Sequence, residues 1–366
     1  MELESFGVIL TDRCNFRCSY CYQEKRNGSL NFPTLARTID FFHPFFAQEC
    51  ILSFYGGEPL LVFDLIQRAV KHVDGLPTEQ RRKIRFSLTT NGSLLNEKTL
   101  EFLAEHEFSL VLSFDGLAQD FTRKKGSFDS LLPVIARILS SPRISLETNS
   151  VFTSETVGYL SKSVEFLVQL GIPKLDVNFA HRPPWNAAAL FRLEEEIARV
   201  GEFFIARYDD ARDIPWVDFD QELRKSVYHC PAGLDRMALS AQGTLWGCVV
   251  FPHYRRGKHG AAGCPGFSFG DVDSFIKNPR QIYAQKIALY SELRMDRFST
   301  PERACLMCDE LEHCWLCPLA AGLTSGEIGK IPAESCRRAR ILRKGKRRFL
   351  DEFDRRAPRG HLGSSG

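Results

Sequence analysis

The chain has 366 residues, 44 % of them hydrophobic and 25 % charged, an ordinary balance for a globular protein with room for about two domains. Its formal net charge of +3 is too small to point to nucleic acid by itself. No run of 18 or more uncharged apolar residues marks a membrane span. The opening MELESFGVIL has neither a basic n-region nor a small-residue cleavage site, so no secretion signal and a cytoplasmic location are expected.

Taken in order, the chain reads as strand–helix units. SFGVIL (5–10) is a short apolar run that leads into a cysteine loop, and FPTLARTIDFF (32–42) has helical spacing with Pro33 in the first turn. CILSFY (50–55) reads as a buried strand ending in GGEP, and LLVFDLIQRAVKHV (60–73) as a helix. KIRFSLTT (83–90) and EKTLEFLAEH (97–106) form the third unit, SLVLSF (109–114) and SFDSLLPVIARIL (127–139) the fourth. RISLETNSVF (143–152) with ETVGYLSKSVEFLVQLG (155–171), then KLDVNFA (174–180) with a helix near 186–208, complete six. Repeated βα units predict a parallel sheet flanked by helices, either an open doubly wound sheet or a barrel. The unusual residues all follow strands: the cysteine loop, GGEP (56–59), TTNG (89–92), SFDG (113–116) and TNS (148–150). Barrels carry their sites on that C-terminal face, which favours a barrel or partial barrel.

Twelve cysteines without a secretion signal argue against a disulfide framework and for metal or redox chemistry in a reducing compartment. Cys14, Cys18 and Cys21 stand in the first loop, Cys50 opens a strand and reads as a buried apolar residue, and the other eight lie between Cys230 and Cys336. That split is itself a two-domain signal. A [4Fe–4S] cluster ordinarily takes four thiolates, so a C-x3-C-x2-C trio leaves one iron open to a small ligand. A three-thiolate zinc site with a distant fourth ligand is the alternative.

C-x3-C-x2-C with Tyr20 before the last cysteine, placed after the first strand, resembles the radical S-adenosylmethionine (SAM) superfamily, as does GGEP after the second strand; the likeness covers residues 5 to about 180. It implies that Cys14, Cys18 and Cys21 hold a cluster whose open iron binds the amino and carboxylate groups of SAM. Reductive cleavage would then yield a 5′-deoxyadenosyl radical that abstracts a substrate hydrogen. It further implies that Gly56, Gly57 and Glu58 meet the methionine amino group, Ser113 lies near the ribose and Tyr20 near the adenine. Arg123 would pair with the methionine carboxylate, with Lys125 as its competitor; an arginine fork suits a carboxylate.

Cys230, Gly243, Cys248, the dense group Cys305-x2-Cys308-x5-Cys314-x2-Cys317, and Cys336 resemble the SPASM domain, as does FSFGDV (267–272) between them. The last pair is separated by two residues, Trp315 and Leu316, where the family usually has three. The resemblance implies two auxiliary clusters. Cys305, Cys308, Cys314 and Cys336 would ligate the outer one, and Cys230, Cys248 and Cys317 the inner one, with Cys264 as candidate fourth ligand beside an open iron or a smaller cluster. One or two structural zinc sites are the alternative for this group.

The expected fold is therefore α/β: a partial (β/α)6 TIM-like barrel at 1–215, a small cysteine-rich SPASM iron–sulfur domain at 216–350, and a flexible tail at 351–366. The expected cofactors are three [4Fe–4S] clusters and SAM. The expected function is that of a maturase acting on a peptide or protein, leaving a crosslink or an oxidised side chain, with a reduced flavodoxin or ferredoxin-type electron donor and neither membrane nor nucleic acid as partner. Formylglycine formation, as in anaerobic sulfatase maturases, ranks second, because those enzymes carry an Asp where this chain has Val249. A non-catalytic iron–sulfur electron-transfer protein is the reading from another class. The chain begins at its first strand, so substrate recognition is expected from the barrel rim, the cysteine-rich part or a separate protein. His253 and Tyr254 read as polar loop residues, and no catalytic acid or base is assigned. The basic stretch at 336–356 reads as a solvated helix, with a docking face for an acidic leader peptide or electron donor as the sharper reading.

Overall fold

A computed structural model describes residues 2–216, 226–254 and 265–356. Six strands, β1 (Leu3–Thr11), β2 (Phe46–Gly56), β3 (Ile84–Thr90), β4 (Ser109–Ser113), β5 (Ser145–Phe152) and β6 (Leu175–Phe179), pair in parallel and in chain order. That order settles the choice left by the sequence pattern. A doubly wound sheet reverses its winding at a switch point, whereas here each strand adds to the same edge, as in a barrel.

The connecting helices are α1 (Phe32–Phe42), α2 (Phe63–Asp74), the single turn α3 (Thr78–Arg81), α4 (Glu97–Glu105), the single turn α5 (Gln119–Thr122), α6 (Ser127–Leu139), α7 (Leu160–Gln169) and α8 (Ala187–Arg207). Their starts follow from local chemistry. Asn31 caps α1 by accepting from Thr34 N, and Asn96 and Thr99 form a reciprocal capping box at α4. Pro133 lies within α6 without ending it. It forfeits one backbone bond, while Leu131, Ile135 and Ile138 recur at helical spacing and are buried. The strands bury Leu52 and Phe54 of β2, Phe86 and Leu88 of β3 and Leu110 and Leu112 of β4 between sheet and helices. Cys50 is fully buried in this core, as its apolar reading requires.

The second half does not stand apart from the sheet. β7 (Arg236–Leu239) pairs in parallel with β1, and β8 (Thr244–Trp246) and β9 (Gly270–Asp271) extend the same sheet antiparallel. The helices α9 (Phe251–Tyr254), α10 (Val272–Lys277), α11 (Pro279–Ser291), α12 (Pro318–Ser325) and α13 (Ala333–Arg356) follow, interspersed with short 3-10 turns. At the opposite edge Trp216 bridges to Leu175 of β6, so barrel pairing reaches past residue 215. The tail expected from residue 351 is corrected too, since α13 runs to Arg356. Phe349 is buried, its ring lies 5.5 Å from Phe353, and Glu352 pairs with Arg355 and Arg356, which carries the helix onward. α13 lies along α8: Lys344 pairs with Glu194 at 2.8 Å, and a Cβ on Gly345 would stand 2.2 Å from Ile197. Cys264 and residues 357–366 lie outside the described residues.

Candidate active site

The strand ends converge on one cavity of about 580 Å³. Cys14, Cys18 and Cys21 line it from the loop after β1, Gly56 and Gly57 from the end of β2, Ser113 from β4 and Arg123 from the turn after α5. His181 and Arg182 line it beyond β6, and Val250, His253, Ala320 and Leu323 close it from the second half. Tyr20 also lines it, whereas Lys125, the competitor of Arg123, is exposed and does not.

The cysteine loop is fixed at both ends. Asp12 N donates to Gly28 O and Leu30 N to Leu10 O, while Ser19 N donates to Thr122 O at 2.7 Å. The glycines of GGEP are needed for a neighbour on the protein itself. Gly57 N donates to Thr11 O at 2.8 Å, and a Cβ on Gly57 would stand 2.2 Å from Arg13 O. Gly56 has φ +151° and its Cβ would meet Thr11 O at 2.4 Å. The pair lets the ends of β1 and β2 close up, bringing the cysteine loop and the β2 rim to the same side of the cavity.

Glu58 departs from its expected place. It is fully buried, does not line the cavity, and accepts from Leu60 N (3.1 Å), Thr90 Oγ1 (2.7 Å) and Asn91 N (2.8 Å). Burial raises its pKa above the usual carboxylate range, against the pull of these donors. Its role here is to brace the end of β2 against β3. Asn91 in turn donates to Asn15 Oδ1 at 2.9 Å, so the brace reaches the cysteine loop.

Asp115 is a hub that sequence reading missed. It is fully buried and accepts from Tyr20 Oη (3.1 Å), Thr122 Oγ1 (2.9 Å), Arg123 Nη2 (2.8 Å) and Val151 N (2.8 Å). The signal was present as an acid followed by Gly116 at the C-terminal end of a barrel strand. Burial works against the charge of Arg123, but Asp115, Tyr20 and Cys18 more than offset it and raise its pKa. The guanidinium also donates to Asn149 O at 3.0 Å and lies 5.4 Å from the Tyr20 ring centre. Its Nε is buried without a partner. An unmatched donor on a cavity wall is suited to an anionic oxygen.

In the second half the thiols fall into two sets. Cys230, Cys248 and Cys317 lie close enough for the charges of Cys230 and Cys317 to act on Cys248, and Cys305 likewise feels Cys314, Cys336 and Cys308. Burial pushes Cys230 and Cys305 up to about 11 and Cys248 up to about 12. All eleven described cysteines are free of disulfides. Among the described residues no three His, Cys, Asp or Glu side chains converge as on a single metal ion.

Residues 8–167 match the family model of the radical SAM superfamily. Residues 8–167, less than half of the chain, are a radical SAM domain. The family implies SAM and a [4Fe–4S] cluster, and the cysteine loop and the Arg123 wall fit both. An uncharacterised Methanocaldococcus jannaschii protein, MJ0907, is 32 % identical over 173 residues, 45 % of this chain and 59 % of that protein. The chain thus spans little more than half of that relative. The radical SAM cyclopropyl synthase TigE of Paramaledivibacter caminithermalis is 21 % identical over 359 residues, 90 % of this chain and 69 % of TigE. Among solved structures, native anSMEcpe with bound AdoMet and Cp18Cys peptide superposes with a TM-score of 0.73 at 15 % identity, covering 96 % of this chain and 99 % of that one. The fold likeness therefore extends through the cysteine-rich half. Among the described residues no helix is long and apolar enough to cross a membrane.

Proposed function

We propose that the chain is a cytoplasmic radical SAM enzyme that modifies a peptide or protein, leaving a crosslink or an oxidised side chain, and that it carries three [4Fe–4S] clusters. One observation carries this reading: a single cavity joins the three-thiol loop to the segments directly after Cys248 and Cys317. A substrate there would touch the SAM side and the inner auxiliary side at once. The cyclopropyl synthase activity of TigE and the peptide bound to anSMEcpe add support.

With the cluster and SAM bound at Cys14, Cys18 and Cys21, the chemistry supplied is hydrogen-atom abstraction by a 5′-deoxyadenosyl radical. The residues of the chain hold and orient. Arg123, locked by Asp115, presents its free Nε to the methionine carboxylate. Tyr20, anchored by its hydroxyl on Asp115, offers a ring face to the adenine. Ser113 stands at the cavity wall for the ribose. α9 and α12 wall off the far side and limit water. Cys305, Cys308, Cys314 and Cys336 would hold the outer cluster and Cys230, Cys248 and Cys317 the inner one, with electrons supplied by a reduced flavodoxin or ferredoxin.

Formylglycine formation is disfavoured because Val249 is packed against β1, its Cγ1 2.5 Å from where a Cβ on Gly7 would stand, so no carboxylate occupies that position. A pure electron carrier would have no use for the Arg123 wall or the cavity. The test is the iron, sulfide and zinc content of protein reconstituted without oxygen, beside its Cys14/Cys18/Cys21→Ala variant. About twelve irons, falling by about four in the variant, is the expected result. Two or three zincs with about one iron or less would overturn the reading.

A further inference from the structure

The two auxiliary thiol sets differ in what donates to their sulfurs. In the inner set the donors are neutral: Ala232 N–H and the Tyr228 hydroxyl at Cys230, Val250 and Phe251 N–H at Cys248, and Leu319 and Ala320 N–H at Cys317. In the outer set Cys308 Sγ accepts from two cations, Arg303 Nη2 at 3.3 Å and Arg340 Nη2 at 3.6 Å. Arg303 comes from the loop before Cys305, and Arg340 from the turn of α13 after Cys336. Carboxylates stand close by in the same region, and neighbouring arginines use them: Arg337 pairs with Glu302, and Arg343 and Arg347 with Glu310. Among the described residues Arg303 and Arg340 make no ion pair, so their charge is directed at the sulfur.

Taking the cysteines as cluster ligands, as read above, we propose that Arg303 and Arg340 set the reduction potential of the outer site, raising it through charge-assisted hydrogen bonds to Cys308. Reduction adds one negative charge to a cluster, and hydrogen bonds to its sulfurs and nearby net charge are main determinants of its potential. A cationic donor stabilises the reduced form more than the oxidised one, and donors of this kind are roughly twice as strong as neutral ones. The bias lies at the surface end of the molecule. Leu306 and Met307, between Cys305 and Cys308, are 61 % and 71 % exposed. An electron is therefore held where an external one-electron carrier can reach it.

The experiment is a potentiometric titration, followed by electron paramagnetic resonance, of the reconstituted full chain in the Cys14/Cys18/Cys21→Ala background. The outer signal is identified by its loss in Cys336→Ala. Arg303→Met is expected to lower that midpoint by about 59 mV, a tenfold change in the reduced-to-oxidised ratio for one electron. Arg340→Met should lower it less, because Arg340 is more exposed, and Arg303→Lys should keep most of the wild-type value, separating charge from packing. The inner midpoint should stay fixed in all three. Unchanged outer midpoints in both methionine variants, at unchanged iron content, overturn the proposal alone. A protein without iron at the outer cysteines overturns the ligand reading, and the proposal with it.

Discussion

The thiols of the first half and those of the second are built in opposite ways. Cys14, Cys18 and Cys21 come from one loop, are partly exposed to the cavity, and rest on a barrel with its own apolar core. The second-half thiols are gathered from Cys230 to Cys336, from loops, a 3-10 turn and α13, and burial pushes several of them up. The first site is a local motif placed on a finished scaffold. The second is assembled by the tertiary fold, so a metal bound there, as proposed, would also be a structural staple, as in small metal-dependent domains.

The sharpest way to break that contrast is to remove the metal. Chelation should cost the amides of residues 295–336 most of their hydrogen-exchange protection and leave those of β2 to β5 nearly unchanged. Equal loss in both would mean that the barrel depends on its cluster as well. Next in size is Arg123→Met. Loss of a hydrogen bond between charged groups costs roughly 1.5–3 kcal/mol, so SAM should bind about ten- to a hundredfold more weakly by equilibrium binding, with Arg123→Lys recovering part. Unchanged affinity would remove Arg123 from the SAM wall. The smallest effect concerns the seam between the halves. His181 Nδ1 lies 3.4 Å from Arg338 Nη2 of α13, and burial, aided by Arg338, lowers its pKa to about 3. The unfolded chain takes up a proton near pH 6.5 that the folded one refuses, so stability should fall as pH drops from 6.5 toward 3. His181→Gln should flatten that slope in denaturant titrations between pH 7 and 5; an equal slope would show His181 to be free to protonate.

Much of this was readable from residue order. The six strands announced themselves as apolar runs that end in GGEP, TTNG and SFDG, because a buried parallel strand must be apolar and its exit loop must turn. The thiol trio was readable because its spacing is local. Glu58 was misread as a ligand group: the sequence shows an acid at a strand end, but not that Thr90 and Asn91 of the next strand would claim its oxygens. Asp115 was passed over as part of a turn, since its four donors come from the cysteine loop, α5, the turn after it and β5, separations that no local pattern records. His181 and the closure of the cavity by α12 were hidden for the same reason. The pairing of β7 with β1 crosses more than two hundred residues and interrupts the division expected at 215/216.

That pairing also bears on synthesis. β1 ends at Thr11, yet its second neighbour, β7, is complete only at Leu239. At about 5–20 residues per second, the nascent chain holds β1 with one open edge for roughly ten to fifty seconds. During that time an apolar strand carrying Val8, Ile9 and Leu10, with the thiol loop at its tip, is available to any other extended chain. Cellular yield of the intact protein is then governed by how well this edge is shielded until residue 239 emerges, so slowing translation between α8 and β7 should lower soluble yield more than slowing it after β9.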